Sequence, residues 1–526
     1  MREPHSRFVI VAGVLALLAI CVHYVFALSL AKPQTAESYE PVTTFKIKTR
    51  IIVLDIVVTD RKGNLVSQPL TRDDFTLVED GKNQVIRSFE APSEHRMPAS
   101  TSPVVTSAAD LSKIGDAPVT VLVLDELNSR FEDMSFARQM MVKYLLSQPP
   151  ILREPTVLLV AKNTTFQQIH DYTQNRDELI GIVRKHMPEY PWRMTNSGKG
   201  GPGAVERMAQ VLGALQQIAQ SSAGTPGRKN LIWVGGGFPS ADLVTLDQKT
   251  GDLVQAAVRR VITRLMAARI TMYTINPAPG TASTLDVQTP ADLDTMQNAT
   301  DSSPFDNGTV NFASLAPSTG GIAYTGRNDL NHVIGEGIAK GDEYYTISYS
   351  PTSASEDAAK FRNIKVVLKD RNLVATTRDG YYPATKADLN PMIDKTMPPN
   401  QAAANLKLDI SAALTSTISY NGLAVTTSKT GAGLYTIRVA EKGIAWTDEG
   451  PDGAQHAEAT IAAGWYDTKG KLIGHEAREE TSPRSNTAAG ASYSISLTLP
   501  HNVARLRLVV RDAFDGNIGT MDITKF

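Results

Sequence analysis

The apolar run Val119 to Leu124 ends in Asp125-Glu126-Leu127-Asn128-Ser129, and a helical pattern starts a few residues on. A carboxylate and a hydroxyl at i and i+4 on a strand-to-helix loop can converge on one hard cation, because Mg²⁺ needs only one or two carboxylates and takes neutral oxygens and water elsewhere. The same two residues can instead serve the backbone, with Asp125 capping the loop or helix and Ser129 bonding a local peptide group. Other spacings carry less chemistry. No lysine or serine follows Gly235-Gly236-Gly237 in the order a phosphate-binding loop needs, so it reads as a tight strand-to-helix turn. His475-Glu476-Ala477-Arg478-Glu479 lacks the second histidine of a zinc-protease helix. The nine histidines are scattered and no Gly-x-Ser-x-Gly elbow occurs, so neither a histidine cluster nor a Ser/His/Asp order stands out. Asp60-Arg61-Lys62-Gly63 and Asp80-Gly81 are explained as hairpin turns without an ion. The single cysteine, Cys21, lies in the N-terminal apolar segment, so the chain beyond it offers no disulfide, thiolate zinc site or cysteine nucleophile.

Alternating strands and helices must position these residues. Val119 to Leu124, Thr156 to Val160, Leu231 to Val234, Ile270 to Ile275, Ile322 to Tyr324 and Tyr344 to Tyr349 read as strands. Between them, Phe136, Met140, Met141, Tyr144 and Leu145, then Met208, Val211, Leu212, Leu215 and Ile218, then Val254, Val258, Val261, Ile262 and Leu265 recur at helical spacing. The pattern predicts a doubly wound, Rossmann-like α/β domain over residues 118–350, with a parallel sheet covered on both faces. A Thr/Asp/Pro/Gly-rich insertion, Asn276 to Val310, leaves the carboxyl end of a strand, where open α/β folds bind ligands. Residues 45–91 read as short strands, 92–117 as a linker, and 351–385 as a hairpin (Phe361 to Leu368, Leu373 to Arg378) completing the N-terminal β module. Each half is too small to bury a core alone. Residues 386–404 read as a second linker and 405–526 as an all-β sandwich.

The 526 residues are 42% hydrophobic and 20% charged with a net charge of −1, which excludes disordered, collagen-like and polytopic membrane chains and gives no global attraction to nucleic acid. The N-terminus, Met1-Arg2-Glu3-Pro4-His5-Ser6-Arg7 and then an apolar segment from Phe8 to Val22, has the flanks and length of a secretory signal. Small residues at Ser29 and Ala31 suit cleavage after Ala31, leaving 1–31 as the signal and 32–44 as a linker; retention would make 8–30 an inner-membrane anchor. Both routes put the bulk of the chain outside the cytoplasm, secreted or in the periplasm or cell envelope.

Several motifs in order carry a resemblance: Val57-Val58-Thr59-Asp60-Arg61-Lys62-Gly63, Asp74-Phe75-Thr76-Leu77-Val78-Glu79-Asp80-Gly81, Asp125-x-Leu127-Asn128, Gly227-Arg228-Lys229-Asn230-Leu231-Ile232-Trp233-Val234, Tyr344-Tyr345 to Tyr349-Ser350-Pro351, and Asp379-Gly380-Tyr381-Tyr382. Over about residues 45 to 385 the chain resembles von Willebrand factor type A proteins, and within them a bacterial, Acidobacteria-type related family. The resemblance implies a metal-ion-dependent adhesion site at Asp-x-Ser-x-Ser, onto which only Asp125 and Ser129 map. Leu127 replaces the first serine, Thr195 is the candidate for the threonine contributed before the long helix, and glycine stands where an aspartate would follow Val234. The implied site is degenerate and would hold Mg²⁺ or Mn²⁺ weakly. The expected function is protein–protein interaction or adhesion by an exported, non-enzymatic chain with an extracytoplasmic protein partner. Alternatives are an exported metal-dependent hydrolase using Asp125 and metal-bound water, and an envelope scaffold with no ligand at this site.

Overall fold

The structure is a computed structural model that describes residues 51–526 apart from 67, 197–201, 244–245, 279–308, 353–359, 384, 396, 448–452, 486–488 and 526. The predicted export segment, the linker to residue 44 and most of the 276–310 insertion fall outside the described residues. Every described residue belongs to one unit, Arg50–Phe526. Strand β1 (Ile52–Asp60) turns Ile52, Leu54, Ile56 and Val58 to one core, the period-two pattern of a half-covered strand. Its terminal Asp60 carboxylate accepts the N–H groups of Lys62 (2.8 Å) and Asn64 (2.9 Å), an Asx turn that uses the side chain locally. Three short strands follow: β2 (Phe75–Glu79), β3 (Lys82–Gln84) and β4 (Ile86–Glu90).

The α/β segment runs β5 (Val119–Asp125), α1 (Phe131–Leu146), β6 (Ile151–Ala161), β7 (Phe166–Asn175), α2 (Arg176–Lys185), α3 (Trp192–Asn196), α4 (Pro202–Ser222), β8 (Lys229–Val234), β9 (Ala241–Asp242), α5 (Gln248–Ala267), β10 (Ile270–Ile275), β11 (Thr309–Val310), α6 (Leu315–Ser318), β12 (Ala323–Tyr324) and α7 (Leu330–Asp342). Six strands form a mixed sheet in the order β12-β10-β8-β5-β6-β7, all parallel except β7, which pairs antiparallel at the β6 edge. Along the central strands successive residues serve two different cores: Val121, Val123, Leu231 and Trp233 on one face, Leu122, Leu124, Ile232 and Val234 on the other. This is why these strands read as unbroken apolar runs. The stripes of α4 and α5 cover the first face, and those of α1, α2 and α7 the second. Each such Leu, Ile or Val that goes from exposed to buried contributes about 1.5–3 kcal/mol, so no single contact holds the layers together.

Tyr344 to Tyr349, expected in the parallel sheet, is not there. As β13 (Tyr345–Tyr349) it pairs antiparallel with β1, Ile52 opposite Tyr349 and Ile56 opposite Tyr345, and with β4. The physical reason is its alternation: Tyr345, Ile347 and Tyr349 enter the core of the flanking β module, while Thr346 and Ser348 make polar contacts. Strands β14 (Arg362–Leu368), β15 (Leu373–Thr376) and β16 (Gly380–Tyr381) follow. The expected hairpin between β14 and β15 does not form; β14 pairs with β2 and β15 with β1, so the two belong to different sheets. Those sheets, β15-β1-β13-β4 and β16-β14-β2-β3, share one apolar core built from strands before and after the α/β segment.

Residues 386–404, read as a linker, contain α8 (Lys386–Leu389) and the start of α9 (Pro399–Thr415). Pro399 is the first residue of α9, where its missing N–H costs nothing. Ile410, Ala413 and Leu414 then pack on Ala462 and Val509 of the following β region. Strands β17 (Val425–Gly431), β18 (Leu434–Val439), β19 (His456–Tyr466), β20 (Leu472–Pro483), β21 (Ala491–Ser496), β22 (Arg505–Asp512) and β23 (Ile518–Ile523) form two antiparallel sheets, β17-β18-β21 and β20-β19-β22-β23. Both contribute to one core, including Tyr435, Ile437, Ile461, Tyr493, Ile495 and Leu508. Buried Arg507 fixes α9 to this layer, pairing with Asp522 (2.7 Å) while donating to the carbonyls of Ala413 and Ser416 near the helix end.

Candidate functional site

Numbered by chain order, the six strands run 3-2-1-4-5-6 from the β7 edge, and the order reverses between β5 and β8. Doubly wound sheets bind ligands at the carboxyl ends of the strands at this reversal. Asp125 closes β5 and Gly235 follows β8, so the sequence-predicted residues stand at the switch point.

There the loops are stitched together rather than parted. Asp125 is 0% exposed. Its Oδ1 accepts the N–H groups of Leu127 and Asn128, both at 3.1 Å, and its Oδ2 accepts the Trp233 indole N–H at 3.2 Å and the Gly237 N–H at 2.6 Å. Ser129 Oγ accepts the Gly236 N–H at 2.9 Å. The glycines permit the approach: a Cβ on Gly235, whose φ is +146°, would lie 2.4 Å from Asp125 Cβ and 2.7 Å from Ser129 Oγ. Burial pushes the Asp125 carboxyl up to about 6, against the downward pull of its N–H donors.

This donor set does not fit a divalent ion. A cation needs lone pairs, and each Asp125 oxygen already accepts two N–H groups. Leu127, where the adhesion motif carries serine, is buried in the apolar core, and the residues after β8 offer N–H dipoles rather than oxygens. Thr195 lies on α3; its side chain is outside what the structure describes. Among the described residues no group of three or more His, Cys, Asp or Glu could hold a metal.

The geometry adds residues that the sequence did not single out as a site. Glu126, also buried, accepts the Glu189 N–H at 3.0 Å and pairs with His186 Nε2. Buried Asn163, just past β6, donates to the Tyr190 carbonyl (3.0 Å) and accepts the Arg193 N–H (3.3 Å). Together they strap the segment from His186 to Arg193 across the carboxyl ends of β5 and β6. On the strap Met187 is 68%, Tyr190 63% and Trp192 46% exposed, and the Arg193 guanidinium lies 5.2 Å from the Trp192 ring centroid. The only linear signal is the composition Pro188-Glu189-Tyr190-Pro191-Trp192, two prolines each close to an aromatic residue, in the short stretch that leads from α2 into α3. Asn128 Oδ1 accepts from Arg207 Nε at 2.9 Å, tying α4 to the same end.

Fold and site define a mixed α/β protein with several sheets, its central one doubly wound and its rim closed by hydrogen bonds. No protein-family model matches the chain, and no curated protein matches it. Among solved structures it is similar to the pilus adhesin SpaC from Lactobacillus rhamnosus GG, at 7% identity over 75% of this chain and 53% of the adhesin, TM-score 0.25. It is similar to the human COPII-coat protein Sec24c, at 8% identity over 57% and 51%, TM-score 0.22. It is also similar to the SpRpn10 VWA domain, at 12% identity over 35% of this chain and 95% of that one, TM-score 0.16. The chain thus spans about half the length of the adhesin and of the coat protein. At these TM-scores the likenesses are weak and carry no argument.

Proposed function

We propose that this chain is an exported, non-enzymatic interaction protein whose von Willebrand A-like domain engages an extracytoplasmic protein partner through the carboxyl rim of its central sheet, with the C-terminal sheets as a β-sandwich beside it. The exposed trio Met187, Tyr190 and Trp192 on a strap held by buried Glu126 and Asn163 carries this reading. Large apolar side chains on a pre-ordered backbone are the kind that dominate protein interfaces, since aromatic anchors bury much area and the fixed strap lowers the ordering cost. The buried, fully hydrogen-bonded Asp125 supports a role without catalysis, because it has no free lone pair with which to activate water.

The test replaces Met187, Tyr190 and Trp192 by serine and captures partners from the source organism's envelope fraction. Loss of a specific captured protein with unchanged melting temperature supports the rim. Equal capture by the variant and the wild type would overturn it. Export is tested by N-terminal sequencing of the mature protein, which should begin at Lys32.

A further inference from the structure

At the opposite end of the sheet, beneath the amino ends of β5 and β6, helices α1 and α7 leave a cavity of about 290 Å³, at the lower edge of the roughly 300 Å³ at which small-molecule sites begin. Leu122, Tyr144, Leu145, Leu152 and Ile338 make most of its apolar wall, and two carboxyl groups, Glu154 and Asp342, share it. The pairing of β6 with β7 shifts register between Ile151 and Thr156, and in this irregular stretch Glu154 faces inward, 4% exposed. Its Oε2 accepts the Thr120 hydroxyl at 3.0 Å. Its Oε1, fully buried, finds no N–H or hydroxyl donor. The polar group facing Glu154 is the Asp342 carboxyl, with which it can hydrogen-bond only while one of the two holds a proton.

Compensating charge is thin. Arg153 approaches Asp342 Oδ2 at 3.6 Å, but its side chain is 77% exposed and its charge is shared with water. Asp342 also ends α7, where the helix dipole disfavours an anion. Burial, and then the charge of Asp342, drive the Glu154 carboxyl well above its ordinary range; burial raises Asp342 too. A cavity beside a buried acceptor with no donor, in a locally acidic pair, calls for a positive donor with an apolar tail.

We propose that this cavity binds a small organic cation, a primary alkylammonium or alkylguanidinium, with its head between Glu154 and Asp342 and its stem along Leu122, Leu145 and Leu152. The ring of Tyr144 lines the same space and adds a π face. Binding releases the shared proton to solvent. The titratable and charged groups facing the pair are Arg153 from β6, Tyr144 from α1, and Glu343 just past the end of α7, so affinity rises with pH as the proton becomes easier to expel.

The test titrates the full chain calorimetrically with pentylammonium chloride, with 1-pentanol as the uncharged match and potassium chloride as the ionic-strength control. The ammonium should bind with proton release, read from buffers of different ionisation enthalpy, and pentanol should bind about tenfold more weakly or not at all. Glu154→Gln keeps an acceptor for Thr120 and removes the charge; it should weaken the ammonium by about tenfold or more and leave pentanol unchanged. Asp342→Asn, at a helix end, provides the same comparison if the first variant folds poorly. Equal binding of ammonium and alcohol, binding of neither, or an ammonium affinity untouched by both substitutions would overturn the proposal.

Discussion

At the carboxyl end of the six-stranded sheet, Asp125 and Glu126 are buried side by side in sequence, and their oxygens meet N–H groups from Leu127, Asn128, Gly237, Glu189 and Trp233. At the amino end, Glu154 and Asp342 are brought together from distant elements, and their oxygens meet each other. The two regions share a residue type and a depth and differ in donors. At the rim the carboxylates act as joints that hold loops, and what faces outward is the apolar strap they secure. At the base one oxygen of Glu154 remains without an N–H or hydroxyl donor, and both carboxyl residues line a space large enough for a ligand. Buried charge alone therefore does not mark a binding site; the supply of donors around it decides.

The contrast can be broken most severely at Gly235. Valine there should clash with Asp125 and strain a positive-φ backbone, lowering stability by about 4 kcal/mol or more, read as a fall in the urea midpoint; a wild-type midpoint would mean the two loops are not locked. Asp125→Asn comes next. An amide presents donors where N–H groups already point inward, so a loss of about 2–4 kcal/mol is expected, whereas an ion-binding role would leave stability nearly intact. At the base the sign reverses: Glu154→Gln should stabilise the protein at neutral pH by about 1 kcal/mol. It should also flatten a pH slope. Folded Glu154 keeps a proton that the unfolded chain releases above the ordinary glutamate value of 4.5, so wild-type stability falls as pH rises above that point and the variant's falls less. Melting temperatures across that range check both claims. The smallest effect belongs to the triple serine variant of Met187, Tyr190 and Trp192, whose stability should stay within about 0.5 kcal/mol of wild type because exposed side chains are removed; a large loss would make the strap part of the core.

Much of the architecture was legible because period and burial coincide. The unbroken runs of β5, β8 and β10 and the stripes on α4 and α5 sit where the sequence put them, since a strand covered on both faces and a one-sided helix leave distinct patterns. Asp125 at the end of β5 was legible for the same reason. β13 was misassigned although Tyr345-Thr346-Ile347-Ser348-Tyr349 alternates, because it follows a helix just as parallel strands do. Prolines concealed α9 despite Ile410, Ala413 and Leu414. The bonds from Leu127 and Asn128 to Asp125 Oδ1 match the local capping the sequence offered, whereas the fate of Oδ2 was not readable, because its donors, Trp233 and Gly237, lie 108 and 112 positions along the chain. Glu154 was equally hidden, its inward turn being set by a local irregularity of register rather than by residue type.

The pairing of β1 with β13 and β15 sets an order of events during synthesis. Asp55 accepts a hydrogen bond from Thr346, 291 positions along the chain, so β1 is made long before its neighbours exist. At about 5–20 residues per second, roughly 15 to 60 s pass before they emerge. Throughout that interval the backbone edges of β1 that β13 and β15 will take stay unpaired, although Phe75, Leu77 and Ile86 of the same core are made soon after. The α/β segment must complete its own layers meanwhile, and the flanking module closes last, as a clasp.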